Sequence, residues 1–432
     1  MSRKISVIVC WTIIALICVL LPLMNALHSR SESLTTTAPA NPPTTMTARD
    51  EASDVIGLQT EIAGKYAVGV SQLDKSTVPV LMTQLHQLAN TPAEKLAVGV
   101  VISEVNSPTE GASHIAASGS PDAPAFLDLL NNAAPLPPTL AERYGFFARL
   151  AESKALPNTK VLREQVIDEA KHTVILLSGI SVGLVLLCGL GFLLLVAGIV
   201  LAVMDKIRFA VDRPRGPAHV YVEAFTLWIV IYLGGSIAIS KLFPGAGLGA
   251  SVAALVTAFT LFMVWPMIRG VPWALQSGDW GLTLHRPIVN VCCGVLGYLA
   301  GLPVLGVGLL ITLLLMRITG VVVTHPITTS IGDHPYAILL LAAVFAPITE
   351  ETLFRGGLLS HLRGRLGPFV SAAISGLVFA AIHPQGWAGI PVIGSIGFVL
   401  AMIRQWRGSL LASMTAHALN NGAVILAALA LQ

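Results

Sequence analysis

The sequence predicts an all-α polytopic membrane protein with about eight to nine transmembrane helices and an additional N-terminal, mainly helical extracytoplasmic domain. Three observations carry that expectation. The 432 residues are 54% hydrophobic and only 11% charged, with a mean hydropathy of +0.76, outside the usual range of soluble domains. The apolar residues fall into long runs, and the basic residues gather between those runs. A formal charge of +3 is too small to argue for nucleic acid, so none is expected as a partner. The five cysteines, Cys10, Cys18, Cys188, Cys292 and Cys293, all lie in apolar runs and read as small core residues.

From the N-terminus, Met1-Ser-Arg-Lys4 precedes an apolar run from Ile5 to about Met24. Residues 1–27 therefore read as a signal anchor or a signal peptide, and a run of this length, sufficient to span, favours the anchor. Residues 28–54 are rich in Ser, Thr and Pro and read as a solvated linker. Residues 55–171 have the composition of a soluble domain, with helical patterning at 78–88 and 141–150. Residues 172–248 read as additional transmembrane helices, and 249–432 as the domain that carries the chemistry.

Beyond Thr173 the spans are expected at 173–203, 218–242, 249–268, 289–316, 336–354, 369–385, 389–403 and 409–431. Pro303 and nearby glycines predict a kink or break in the fourth of these. Lys206, Arg208, Arg213 and Arg215, then Arg269 and Arg286, then Arg355, Arg363 and Arg365, then Arg404 and Arg407 are assigned to alternate connections, which the positive-inside rule places in the cytoplasm. With Arg3 and Lys4 also cytoplasmic, residues 28–171 become extracytoplasmic. The protein is expected to be integral to a bacterial cytoplasmic membrane, with the lipid bilayer as a partner.

Within the stretch Tyr336 to Arg355 stand two adjacent acids, Glu350 and Glu351, in otherwise apolar surroundings. A lipid-facing carboxylate at mid-membrane costs roughly 2.5–3.5 kcal/mol on insertion scales, so their presence points to function or to pairing. Later apolar stretches contribute His383, in Phe379-Ala-Ala-Ile-His383, and His417, in His417-Ala-Leu-Asn-Asn421. Carboxylates, imidazoles and an amide inside a membrane are the inventory of a hydrolytic site. In a helix Glu351 and Arg355 stand four apart with the acid first, the favourable order for an ion pair, whereas Glu350 points about 100° away. Glu351 thus reads as the structural partner of Arg355 and Glu350 as the freer carboxylate, able to take a proton from water. A single intramembrane histidine is as often a packing or bridging residue as a catalytic one; two of them beside an amide and the paired acids favour chemistry.

The motifs Glu350-Glu-Thr-Leu-Phe-Arg355, Phe379-Ala-Ala-Ile-His383 and His417-Ala-Leu-Asn-Asn421, in this order on successive segments, resemble those of the CAAX protease and bacteriocin-processing family of intramembrane endopeptidases. Arg355-Gly-Gly-Leu-Leu359 is also similar to that family. The resemblance spans roughly 250–432. It implies a helical membrane fold and peptide-bond hydrolysis in a peptide or membrane-protein substrate. Glu350 would be the general base on a water held with His383, and His417 with Asn421 would stabilise the oxyanion. Glu351, Arg355 and Phe379 would support them. Family members are often called metalloproteases, so Glu350, His383 and His417 are also candidate ligands for Zn2+ or another divalent metal; the same residues would serve a glutamate mechanism without one.

No HExxH motif occurs, Ala373-Ile-Ser-Gly376 lacks the first glycine of a GxSG serine motif, and Ser330-Ile-Gly-Asp333 lacks the first glycine of a GxGD motif. Two rival readings remain at this stage. One is a non-catalytic membrane scaffold or bacteriocin-immunity protein, the other a proton-coupled transporter, since intramembrane Glu and His also relay protons. No internal repeat supports the transporter.

Overall fold

The computed structural model describes residues 2–35, 56–211, 213–242, 247–321, 323 and 335–430. Most of the Ser/Thr/Pro-rich linker, the connection at 243–246 and the Ser330–Asp333 stretch lie outside the described residues. The chain is an all-α polytopic membrane protein, and no strand occurs among the described residues. It forms two compact units, one within residues 1–37, 186–325 and 334–426, the other chiefly within 38–185.

The second unit holds seven short helices, α2 (Leu58–Ser71), α3 (Val78–Leu88), α4 (Pro92–Val105), α5 (Pro108–Ala117), α6 (Ala123–Asn132), α7 (Pro138–Tyr144) and α8 (Phe146–Ala155), together with the first part of α9 (Lys160–Val203). Turn chemistry explains their starts. Proline stands in the first turn of α3 to α7, where its missing N–H is not needed, and Thr91 with Glu94 closes a reciprocal capping box at α4. The helical patch expected at 141–150 is split at Gly145, which has φ +47°. Val68, Leu96, Val101, Ile115, Phe126 and Phe147 fill the core. Lys65, 2% exposed, is paired with Glu61 at 2.8 Å and Glu169 at 3.0 Å, which offsets the cost of burying its charge.

The membrane unit is built from α1 (Arg3–Thr35), the rest of α9, α10 (Ala218–Leu242), α11 (Gly247–Ile268), α12 (Trp273–Trp280), α13 (Pro287–Thr319), α14 (Pro335–Arg363), α15 (Pro368–Ala381), α16 (Ile390–Arg407) and α17 (Leu410–Ala430). Among the described residues seven helices are long and apolar enough to cross a membrane, and two shorter apolar helices, Ala253–Ile268 and Pro368–Ala381, correspond to the other two expected spans.

Several expectations change in detail. Helix α1 continues to Thr35, so the first residues assigned to the linker are helical. Helix α13 runs unbroken through Pro303; in a membrane a backbone group freed by proline can be satisfied by its surroundings without ending the helix. Helix α14 extends to Arg363, nine residues past the expected end. Arg355 and Arg404, counted as connection charges, are buried inside helices at 0% and 2% exposure and bonded to internal partners.

The first apolar helix is part of this unit's core. Val7, Cys10 and Ile14 pack with Phe225, Phe354 and Phe379 in one cluster, Trp11 Nε1–H donates to His361 Nε2 at 3.1 Å, and Ser6 donates to Glu223, which also pairs with Arg269. Helices α15 and α16 approach backbone to backbone at Gly376. A Cβ on Gly376 would stand 2.7 Å from the Gly394 carbonyl oxygen and 2.8 Å from the Phe398 nitrogen. Small residues at such crossings let backbones approach where lipid supplies no hydrophobic drive. Gly376→Ala is therefore expected to destabilise the protein by about 1–3 kcal/mol, whereas Gly367→Ala, where the space is open, changes little; thermal unfolding of both variants in detergent checks this.

Candidate active site

The glutamate pair sits on a helix that changes its winding on both sides. Within α14, Leu341–Phe345 and Thr352–Leu358 are π-helical and the six residues Ala346–Glu351 between them are α-helical. Pro347 supplies a cause for the first, because it lacks an N–H and its ring crowds the carbonyl four residues earlier, which a wider turn relieves. In the second, Gly356 and Gly357 leave room for packing: a Cβ on Gly357 would stand 2.7 Å from the Phe262 ring.

The two acids diverge as the helical angle requires. Glu351 is fully buried, and its Oε1 accepts from Arg355 Nη1 at 2.9 Å and from His417 Nδ1 at 3.0 Å. Arg355, also fully buried, donates through Nη2 to the Gly397 carbonyl at 2.9 Å. Glu351 and Arg355 are thus the ion pair expected from their spacing, and the same oxygen also orients a histidine, a link that the spacing did not reveal. Glu350 is 29% exposed, and its Oε2 stands 3.7 Å from His417 Nε2 and 3.9 Å from His383 Nε2. These separations exceed a hydrogen bond and fit a single bridging water.

His383 lies just beyond the end of α15 rather than on its face. Its Nδ1–H donates to the Phe379 carbonyl at 2.6 Å and its ring packs on Phe379 at 4.2 Å between centroids, so the expected pairing of these residues holds in a turn. Phe379 also lies under the Arg355 guanidinium at 4.6 Å and 5.9 Å from the His417 ring. It separates the buried pair from His383.

The hydrogen bonds assign both imidazoles. A carboxylate and a carbonyl only accept, so His417 gives its Nδ1 proton to Glu351 and His383 gives its own to Phe379. Each ring then turns its Nε2 toward Glu350, and that nitrogen is bare wherever the ring is neutral. Asn421 makes no hydrogen bond to this trio among the described residues: its Nδ2 donates to the Ala342 carbonyl at 2.9 Å, in the first π-helical segment, and its Oδ1 accepts from Asn420 at 3.2 Å. Tyr298 OH in turn donates to Asn420 Oδ1 at 3.4 Å. Tyr298, Asn420 and Gly397 were not singled out in the sequence; the doublet Asn420-Asn421 is the one signal that could have pointed to any of them.

Among the described residues no group of three His, Cys, Asp or Glu side chains is arranged to hold a metal ion. In the candidate ligand set Glu350 Oε2 stands 3.7 Å from His417 Nε2 and 3.9 Å from His383 Nε2, whereas ligands on tetrahedral bonds of about 2.0–2.1 Å lie about 3.4 Å apart.

Residues 332–423 match the family model of Rce1-like type II CAAX prenyl endopeptidases. That stretch, about a fifth of the chain, is similar to the Rce1-like endopeptidases. The matched stretch includes Glu350, Glu351, Arg355, Phe379, His383, His417 and Asn421, and is narrower than the 249–432 domain expected from the motifs. No curated protein and no solved structure matches the chain. The apolar helices mark an integral membrane protein, and the match supports a protease of the CAAX type for the segment 332–423.

The two neighbouring acids differ in what they hold together. Glu351→Gln leaves the buried Arg355 without a charged partner and is expected to cost about 3–5 kcal/mol, whereas Glu350→Gln costs much less; equilibrium unfolding of the two variants in the same detergent checks the contrast.

Proposed function

We propose that the protein is an intramembrane endopeptidase in which Glu350 activates a water to hydrolyse a peptide bond. The observation that carries this reading is the placement of Glu350 Oε2 one solvent bridge from the Nε2 atoms of both His383 and His417. A water there can donate one hydrogen to Glu350 and the other to a bare imidazole nitrogen. Glu350 takes the proton, the resulting hydroxide adds to the scissile carbonyl carbon, and the C–N bond breaks as Glu350 returns the proton to the leaving amine.

The oxyanion needs donors. His417 Nε2 is one when the ring has taken a proton from solvent before the reaction, with the Glu351 carboxylate at Nδ1 stabilising the charged ring, and His383 is then the imidazole that accepts from the water. Asn421 keeps a second amide hydrogen beyond the one given to Ala342. In this reading Glu350, His383, His417 and Asn421 are catalytic, while Glu351, Arg355 and Phe379 hold His417 and His383 in place. No step is routed through a metal.

The same reading gives the chain its layout: residues 1–27 as a retained anchor, supported by the core packing of Val7, Cys10 and Ile14; residues 28–54 as a linker; 55–171 as an extracytoplasmic domain; 172–248 as further spans; and 249–432 as the protease domain in a bacterial cytoplasmic membrane. The segment that matches the Rce1-like model favours a protease over a scaffold or a transporter.

Glu350→Gln is expected to lower peptide cleavage in proteoliposomes by at least about 100-fold while the protein stays folded. Unaltered biological activity of that variant would favour the scaffold. A chelator is expected to leave the rate unchanged; loss of cleavage that added Zn2+ restores would overturn the metal-free mechanism.

A further inference from the structure

Away from the glutamates and histidines, a cavity of about 280 Å³ opens in the membrane unit between the segment after α9, α12, α14 and the end of α16. Arg213, Arg215, Asp279, Ser360 and Arg404 supply its polar lining, and none of Glu350, His383, His417 or Asn421 belongs to it. Three guanidiniums therefore share the cavity with one carboxylate.

That carboxylate is already committed. Asp279 Oδ1 accepts from the Arg215 backbone N–H at 2.9 Å, and Oδ2 accepts from the Gly216 N–H at 2.8 Å and from Tyr221 OH at 2.7 Å. Ser360 Oγ–H is spent on the Asp279 carbonyl at 2.9 Å. Arg404, 2% exposed, gives Nε to the Trp280 carbonyl at 3.3 Å and Nη2 to the Asp279 carbonyl at 3.1 Å, whereas Nη1 is buried with no hydrogen-bond partner. Carbonyl dipoles alone do not neutralise a buried guanidinium, and an unpaired charged donor is expensive to leave. Arg213 and Arg215 are exposed and have no ion-pair partner among the described residues.

We propose that this cavity binds a phosphate group, presented either by an anionic lipid headgroup or by a free phosphate compound. Guanidinium forks match phosphate oxygens in geometry and charge, and a phosphate would add a countercharge beside the incompletely bonded Arg404 while drawing in Arg213 and Arg215. The volume suits a headgroup or a small phosphate and leaves no room for a whole acyl chain. The inference is independent of the proteolytic mechanism.

The test uses the full chain in an uncharged detergent, with melting temperature and calorimetric titration as readouts. The probes are inorganic phosphate, short-chain phosphatidylglycerol, and short-chain phosphatidylcholine as the zwitterionic comparison. Stabilisation by inorganic phosphate assigns a free phosphate site, and stabilisation by phosphatidylglycerol without phosphatidylcholine or inorganic phosphate assigns a headgroup site. In both cases Arg213→Ala/Arg215→Ala, which alters only exposed side chains, is expected to weaken binding about tenfold or more, and Arg404→Gln to abolish it. Should Arg404→Gln fail to fold, the double variant decides alone. No binding of either phosphate probe, or binding unchanged in the double variant, overturns the proposal.

Discussion

One oxygen atom, Glu351 Oε1, joins three helices. It accepts from Arg355 on its own helix and from His417 on α17, and Arg355 reaches on to the Gly397 carbonyl of α16. Glu351 and Arg355 are wholly out of solvent, where two isolated ions would each carry a desolvation penalty of several kcal/mol. Mutual pairing and added hydrogen bonds offset that penalty. A hydrophobic replacement of similar volume would satisfy packing equally well, so what the ionic node adds is position: it fixes the axial and rotational setting of His417 relative to Glu350. Apolar contacts in lipid supply no such register.

The adjacency of Glu350 and Glu351 is a geometric device. Residues one apart on a helix diverge by about 100°, so a single turn can send one carboxylate into the interhelical core and hold the next at a partly solvated site. Glu351 is fully buried and engaged, while Glu350 keeps 29% exposure and no direct hydrogen bond. The division extends to the imidazoles, each anchored at Nδ1 by a group that only accepts and each leaving Nε2 toward the same carboxylate oxygen. The arrangement holds both rings in one orientation, the preorganisation that the proposed hydrolysis would require.

Hydropathy made the membrane architecture legible, because a run of apolar residues has few alternatives to a helix in lipid. The site was legible as an inventory: Glu350, His383 and His417 do converge, and the spacing of Glu351 and Arg355 did encode their pair. Other features were hidden because they depend on which neighbours satisfy a polar group. Arg355 and Arg404 look in sequence like connection charges, and only the carbonyls of Gly397, Asp279 and Trp280 make their burial tolerable. Pro303 reads as a break, yet α13 continues through it, whereas Pro347 sits beside a π-helical segment that no propensity rule foretold. Asn421 was assigned to the oxyanion from its motif; its actual bonds to Ala342 and Asn420 arise from a segment whose winding the sequence does not announce.

Helix α16 shows why so many cations are tolerated inside this unit. Along its length Gly397 accepts from Arg355, Arg404 donates to two carbonyls of α12, Gln405 accepts from the backbone N–H groups of Ala210 and Val211, and Arg407 donates to Asn290 of α13. These bonds are spread over several turns and attach to different elements. A helix held by side-chain packing alone can slide or rotate against its neighbours at modest cost, because lipid competes equally for apolar surface. Moving α16 by even a fraction of a turn would unpair several buried donors at once, and each loss carries about 1–3 kcal/mol. The helix that buttresses Arg355 is thereby fixed from Gly397 to its C-terminal end, and Arg355 in turn is bonded to Glu351, which holds His417. The half-exposed Glu350 remains the member of the polar cluster without a hydrogen bond of its own, on a scaffold that holds its neighbours still.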